Sequence, residues 1–295
     1  MKRSSEKLWN YVWTAPVFLT MVVLLAYPIL RTIQLSFYEY NLTSESQVFI
    51  GLEGYYKILS SNDFYGFLRI SFIWTFGIVV TCLVIALPFA AILNNEFRCK
   101  SIMRPILMLP WATPVVITAL TWKWMYSPNF GMIDYLLRAL GLGSLVQNWL
   151  GDPDVALFSV MIPTIWRGYT FGAFMYLAAM QTIPVNLYEA AEVDGAGSIN
   201  KFFHITIPGI LPTIIVVNLL GVMWSLNAIQ NLWIMTQGGP INSSTTLPIA
   251  VYKTAFLYHR FGDASVYGVV IGVMMLIFAL LYIQFVAKKG ELAEV

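Results

Sequence analysis

Long apolar stretches without Asp, Glu, Lys or Arg alternate with short polar stretches along this chain. A helix needs about 20 apolar residues to cross the hydrocarbon layer of a membrane, and most of these stretches approach or exceed that length. The pattern therefore predicts six transmembrane helices within a single transmembrane domain, residues 1–295. We expect the helices at about residues 10–35, 70–94, 105–126, 155–182, 209–235 and 264–287.

The composition also indicates a membrane protein. The chain is 58% hydrophobic and only 11% charged, whereas soluble proteins carry about 25% charged residues. We therefore expect an all-α, polytopic integral membrane protein whose apolar surface contacts lipid. The net charge of +2 gives no indication of a nucleic-acid partner. Cys82 lies in a predicted span and Cys99 in a predicted inner loop, so no disulfide framework is expected.

The distribution of Lys and Arg predicts the orientation, because short cytoplasmic loops are enriched in these residues. With both termini in the cytoplasm, the inner segments hold nine of them and the outer segments seven. The inner segments are only about half as long in total, so their density of positive charge is higher. Both termini are therefore predicted to be cytoplasmic.

Residues 189–208 form a short polar stretch between two apolar ones. Asn186 is expected to cap a helix, with Glu189 three residues later reaching back as in a capping box. Asp194 and Gly195 are expected to end this helix, because glycine favours the left-handed backbone that follows a helix end.

A second short helix is expected directly after this one. Ser198 is expected to cap it, and Pro208 is expected to end it after residues 199–207. The two helices together predict a helix–turn–helix knob at the membrane surface, whereas an ordinary connecting loop needs neither the caps nor the spacing.

The spacing within the knob resembles a family signature: Glu-Ala-Ala, three residues, Gly, nine residues, then Ile-x-Leu-Pro. Only Ile207, which replaces the Leu, departs from it. On these residues, the segment 186–208 resembles the cytoplasmic coupling loop of an ABC importer permease, the membrane subunit that an ATPase binds and moves. The resemblance implies the type I ABC importer permease fold. It assigns ATPase coupling to Glu189, Ala190, Ala191, Asp194, Gly195 and Pro208.

A second motif, Thr-Gln-Gly-Gly-Pro at residues 236–240, follows the fifth predicted helix. Physically, Gly-Gly-Pro ends a helix and forms a turn, which any outer loop could use. Together with the coupling loop, it resembles the Thr-x-Gly-Gly-Pro element of one permease partner in carbohydrate importers. The similarity is to the maltose and glycerol-phosphate type, on the first-subunit side of the pair.

Arg167 is the charged residue nearest the middle of a predicted span. Polar groups at membrane depth are costly, so each of them is a candidate for function. The resemblance implies that the segment around it lines the sugar site. Arginine could donate to sugar hydroxyls, and an aromatic ring could stack on a sugar ring. Pairing with a neighbouring subunit or snorkelling toward the membrane surface remains an equal alternative. The matching positions are Thr164, Arg167, Gly168 and Phe171.

The fifth predicted helix carries a second polar set, and we divide it between two roles. By resemblance, Ser225 and Asn227 line the substrate cavity, although hydrogen bonding between helices is the alternative for such residues. Gln230 and Asn231 are expected to make hydrogen bonds within the helix bundle. Tryptophans near span ends, including Trp111, are expected at the membrane interface.

The motifs missing from the sequence restrict the class of protein. No Gly-x4-Gly-Lys-Ser/Thr phosphate loop occurs, so the chain is not expected to bind ATP or Mg itself, and a separate ATPase would bind both. No carboxylate lies inside a predicted span, which disfavours the alternative of an ion-coupled secondary transporter of a small solute. No paired carboxylates or His/Cys cluster indicates an enzyme, a cofactor or a metal site.

The resemblance implies a set of partners and a location. The expected partners are a second homologous permease, two copies of an ABC ATPase, an extracytoplasmic sugar-binding protein and membrane lipid. Because the two permeases of this type are unequal, a heterodimer is predicted, while a homodimer would place two copies of Arg167 near one cavity. The expected location is a prokaryotic inner or plasma membrane.

Overall fold

The computed structural model describes residues 13–41, 46–95, 98 and 100–293, without the side chains of 46 and 285–293. These residues are predominantly helical. Three parts of the sequence-based predictions lie outside the described residues: Cys99, the start of the first predicted span and both chain termini. The predicted orientation of the termini therefore stays a prediction.

One compact unit lies within residues 1–65 and 250–273. Its β-hairpin was not predicted from the sequence, and the rings of Tyr38 and Phe49 face each other across it at 5.3 Å. Lys57 and Arg260 both pair with the carboxylate of Asp263. The elements complete in this unit are α1 (Trp13–Leu35), β1 (Tyr38–Asn41), β2 (Ser46–Phe49) and α2 (Glu53–Leu59).

The second compact unit lies within residues 66–249 and 274–295, and it contains both candidate sites. The remaining helices, in chain order, are α3 (Asn62–Asn94), α4 (Lys100–Ala112), α5 (Val115–Met125), α6 (Met132–Ala139), α7 (Ala156–Met180), α8 (Val185–Val193), α9 (Ser198–Lys201), α10 (Ile207–Gly209), α11 (Leu211–Leu226), α12 (Gln230–Met235), α13 (Leu247–Tyr252) and α14 (Phe261–Ala293).

Among the described residues, four helices are long and apolar enough to cross a membrane, or five if the bent pair of α4 and α5 is one span. They are α1, α3, the α11–α12 segment and the larger part of α14. The fourth predicted span, residues 155–182, corresponds to α7. Its 25 residues cover about 37 Å at 1.5 Å per residue, enough for the hydrocarbon layer, but Arg167 and other polar side chains make it less apolar.

The third predicted span, residues 105–126, is not one helix. Helices α4 and α5 meet at an angle of 89°. Pro114 lies directly before α5 and has no N–H to continue the ladder of α4. A proline also disfavours helical backbone at the preceding residue, here Thr113. The length of the apolar stretch predicted a span at residues 105–126, but it gave no sign of this break.

The core of the second unit packs α3 against α7. Gly172 lets the two backbones approach closely, since a Cβ placed there would lie 3.2 Å from the Cβ of Ala86. Trp74 of α3 is buried and donates from Nε1 to the carbonyl oxygen of Ser225 at 3.2 Å. Tyr126 donates to the carbonyl of Ser159 at 3.0 Å. Helix α7 therefore holds a fixed position among its neighbours.

The loop after α12 is ordered by its own hydroxyl groups. Thr236 Oγ1 lies 2.7 Å from Ser244 Oγ, which donates to the carbonyl of Gly239 at 2.7 Å. Thr245 donates to the carbonyl of Gly238 at 2.8 Å. The predicted helix end and turn at residues 236–240 are confirmed, because α12 ends at Met235.

We expect Gly238→Ala to destabilise the folded protein by about 1–3 kcal/mol more than Gly141→Ala. Both glycines have positive φ, +81° and +75°. Alanine therefore introduces a similar backbone strain at both positions. A Cβ at Gly238 would lie 2.5 Å from Thr245 Oγ1, whereas nothing lies within 4 Å at Gly141. Thermal unfolding of the detergent-purified variants measures the difference, and equal stabilities would contradict the packing described for this loop.

Candidate functional sites

The predicted knob consists of α8, a turn, and α9 continued by a π-helical turn, Phe202–Thr206, into α10. Gly195 has φ +78°. The N–H of Ala196 donates to the carbonyl of Ala191 at 2.8 Å, so the chain turns away from the helix axis. The predicted helix end at Asp194 and Gly195 is therefore confirmed.

The predicted caps of the knob are wrong. Helix α8 begins at Val185 after Pro184, and no side chain caps it, so Asn186 lies inside the helix. The fixed φ of Pro184, here −59°, prepares the chain for a helix without a capping side chain. Likewise Gly197, not Ser198, precedes α9, and its first turn has no side-chain cap.

Pro208 does not end the second helix as predicted. It lies within α10, at the start of a helical segment where proline is tolerated. The helical path bends instead at Ile210, which has φ −102° and ψ 6°. The second half of the knob therefore continues to Gly209.

Two polar contacts hold the halves of the knob together. The hydroxyls of Tyr188 and Thr206 lie 2.9 Å apart, and Lys201 Nζ lies 3.3 Å from Glu192 Oε2. Of the residues predicted to contact an ATPase, Glu189 and Ala190 are exposed on α8, Ala191 is half-buried beside them, and Asp194, Gly195 and Pro208 are exposed.

Large apolar side chains of the knob point away from the core. Val193, Ile199 and Phe203 are 89%, 74% and 60% exposed. They lie outside the predicted spans. Large apolar side chains exposed on such a surface are typical of a protein-binding site.

The second site is a cavity of about 510 Å³ in the second unit, within the usual range of small-molecule sites. All six residues predicted to bind substrate line it. Helix α7 contributes Thr164, Arg167, Gly168 and Phe171, α11 contributes Ser225, and Asn227 follows α11.

One wall of the cavity is aromatic. The rings of Trp111 and Phe171 stack at 5.0 Å, and Trp224 meets Phe171 edge-on at 5.1 Å. Trp111 was predicted to lie at the membrane interface, and the structure places its ring in the cavity wall. The 89° bend after α4 places it beside α7 instead, and sequence spacing gives no sign of this.

Arg167 is the one charged residue among the described residues of the lining. Its Nε donates to the carbonyl of Thr113 at 3.2 Å, and its guanidinium carbon lies 4.7 Å from the ring centre of Trp111. Thr113 lies in the break between α4 and α5, where its carbonyl has no place in a helical ladder. This bond stabilises the bend between α4 and α5. Neither of the roles expected for Arg167, sugar binding and subunit pairing or snorkelling, included it. The guanidinium still lines the cavity.

Several side-chain amides of the cavity lining donate hydrogen bonds to other groups of the helix bundle. Asn231 Nδ2 donates to Thr164 Oγ1 at 2.7 Å, which confirms its predicted hydrogen bond between helices. Asn218 donates to the hydroxyl of Tyr176 at 3.2 Å. Asn227 donates to the carbonyl of Met223 and lies 3.2 Å from the sulfur of Met275. Gln230, also predicted to bond within the bundle, lines the cavity.

Sequence analysis missed three aromatic members of the lining, Trp74, Tyr176 and Trp224. The position of Tyr176 could have been predicted, because Gly168, Gly172 and Tyr176 follow at four-residue steps on one helical face. Trp74 and Trp224 lie on other helices, and only packing brings them to the cavity. In the described part of the chain, no group of three or more His, Cys, Asp or Glu side chains could hold a metal ion.

Comparison with known proteins shows the family of the chain. Residues 83–288 match the family described as binding-protein-dependent transport system inner membrane component. The trehalose/maltose transport system permease MalF of Thermococcus litoralis is 30% identical over 278 residues, 93% of this chain and 92% of the relative. The sulfoquinovosyl glycerol transport system permease SmoG of Agrobacterium fabrum is 30% identical over 285 residues, 96% of this chain and 92% of the relative.

Solved structures show the same fold. A chain of a bacterial ABC transporter involved in import of the acidic polysaccharide alginate superimposes with a TM-score of 0.84 at 21% identity, covering 97% of this chain and 98% of the other. Another structure, of the alginate transporter with a pentasaccharide-bound periplasmic protein, gives a TM-score of 0.83 over 95% of this chain and 94% of the other, at 21% identity. The predicted permease fold is confirmed, and the chain belongs to the family of binding-protein-dependent transport system inner membrane components.

Proposed function

We propose that this chain is the membrane-spanning permease subunit of an ATP-driven, binding-protein-dependent sugar importer. The observation that carries the proposal is the course of α7. Its middle lines the cavity through Arg167 and Phe171, and its end leads through residues 181–184 into the knob. One element therefore joins a substrate-sized cavity to an exposed protein-binding surface. As a transport subunit, the chain is not an enzyme.

The chemistry of the cavity supports a sugar as cargo. Trp111, Phe171 and Trp224 present ring faces, on which the apolar faces of sugar rings stack. Arg167 can donate to hydroxyls, and Asn227 offers an amide. Two relatives are named for trehalose or maltose and for sulfoquinovosyl glycerol, which agrees with a di- or oligosaccharide or a related polyol.

The knob is proposed to dock into a separate ATPase that binds ATP and Mg. The exposed apolar side chains Val193, Ile199 and Phe203 would enter a cleft on that subunit. Glu189, Ala190 and Ala191 of α8 would also contact it, and the small alanines permit close approach. Closure of the ATPases would then move α7 and change access to the cavity.

We further propose that the working complex is a heterodimer with a second homologous permease. Two ATPase copies would bind on the cytoplasmic side, where both termini of this chain would also lie. A sugar-binding protein would deliver cargo from outside, as the periplasmic protein in the alginate complex suggests by analogy. Native mass spectrometry of the purified complex tests this composition.

Reconstitution into vesicles tests the function directly. Uptake of labelled maltose or trehalose is expected only with ATP on the knob side and binding protein on the other side. Uptake driven by an ion gradient and indifferent to ATP would contradict the proposal and favour a secondary transporter.

Gly195→Val is expected to uncouple transport while the protein still inserts and folds. Valine strongly disfavours the φ of +78° at this position, so the end of α8 must change shape. Because no atom lies within 4 Å of the added Cβ, the effect is confined to the knob. Uptake and co-purification of the ATPase should both fall at least about tenfold, if rearrangement costs more than about 1.4 kcal/mol.

The matched control is Gly197→Val, two residues away. Gly197 has φ −70° and also has nothing within 4 Å, so valine adds the same bulk without backbone strain. It should retain most uptake. Normal uptake and normal ATPase co-purification in Gly195→Val would show that the knob is not the coupling element.

Phe171→Ala is expected to slow sugar uptake by about three- to tenfold, because the aromatic wall loses the ring that contacts both tryptophans. Phe158→Ala removes the same side chain from an exposed position near the start of α7 and should change uptake little. Initial uptake rates at saturating binding protein measure both. Equal rates in the two variants would contradict a role for the aromatic wall in sugar transport.

A further inference from the structure

The orientation of the Asn231 amide is fixed by a chain of hydrogen bonds. Thr164 Oγ1 donates its only proton to the carbonyl of Val160 at 3.0 Å. Its oxygen can therefore only accept from Asn231, and Nδ2 donates to it at 2.7 Å. If the amide were turned over, two acceptors would face each other. The side-chain oxygen of Asn231 consequently points away from Thr164.

That oxygen has no hydrogen-bond partner among the described residues, although Asn231 is only 7% exposed. A buried acceptor left unpaired destabilises a folded protein. Such a group in a native protein calls for a partner outside the chain itself. Asn231 lines the cavity, so a bound molecule can supply the missing donor.

We propose that Asn231 is a specificity-determining residue whose Oδ1 accepts a hydrogen bond from a hydroxyl group of the transported sugar. The inference rests on the proposed function and adds an atomic contact to it. Carboxylate, sulfonate and ether oxygens carry no proton and cannot fill this position, whereas a hydroxyl can. Asn231 thereby selects for a hydroxyl at one position of the cargo.

The neighbouring donor strengthens the match to a polyhydroxylated molecule. Thr164, which holds Asn231, lies three residues before Arg167 on α7, and residues at this spacing share one helical face. The cavity thus offers a fixed acceptor and a guanidinium donor about one helical turn apart. A sugar has hydroxyls that both donate and accept, so adjacent hydroxyls can satisfy both groups.

The test compares sugars that lack single hydroxyls. The complete transporter is reconstituted in vesicles, and uptake of maltose and trehalose is compared with that of their singly deoxygenated analogues. In the wild type, removing the hydroxyl that meets Asn231 should slow uptake by about three- to tenfold. In Asn231→Leu, the parent sugar should be slowed by a similar factor, and removing that hydroxyl should cause no further loss.

Asn231→Leu is expected to fold, because leucine has a similar size and removes an unpaired acceptor rather than creating one. Thr164 keeps its bond to Val160 in this variant. Thr164→Val provides a second variant that leaves Asn231 intact but frees its amide to turn. It should reduce the discrimination between the parent sugar and the sensitive analogue, an effect that loss of packing alone would not produce.

The outcomes separate this inference from the proposed function. If the wild type takes up the sugars and every analogue keeps its full penalty in Asn231→Leu, the role of Asn231 is refuted and sugar import stands. If the wild type takes up none of these sugars while moving another class of solute, both proposals fail together.

Discussion

The lipid interior offers no hydrogen-bond partners, and this constraint shapes the cavity of the second unit. Each polar group there must find a partner within the protein, in water or in a bound molecule. Arg167 bonds to the carbonyl that the bend at Thr113 releases, and Trp74 bonds to the carbonyl of Ser225. Asn231 bonds to Thr164. These bonds fix the helices around an open space whose few polar groups keep defined orientations.

Helix α7 connects the cavity to the knob. It packs closely on α3 at Gly172, contributes both polar and aromatic groups to the cavity, and is followed directly by the knob. Within the knob, the contact between Tyr188 and Thr206 joins its two halves. We therefore expect a force applied to the knob to act, through residues 181–184, on a helix that lines the cavity.

The sequence predicted those features that depend on short-range spacing. The helix end at Gly195 follows from local rules, whereas the positions of Arg167 and Phe171 in the cavity lining were implied by the resemblance. The bend between α4 and α5, and with it the position of Trp111, depends on packing between distant segments, so apolar length concealed it. The caps at Asn186 and Ser198 failed because Pro184 and Gly197 already provide suitable backbone. Whether the six lining residues bind cargo remains a prediction.

The knob is proposed to control access to the cavity, and labelling of Cys82 tests this control most directly. Cys82 lines the cavity. In a Cys99→Ser background, reaction of Cys82 with a charged methanethiosulfonate reagent is followed by mass spectrometry in vesicles, with the reagent on one side. Trapping the ATPases in their closed state should reverse the side from which Cys82 reacts faster. Identical side preference in the resting and trapped states would contradict the account.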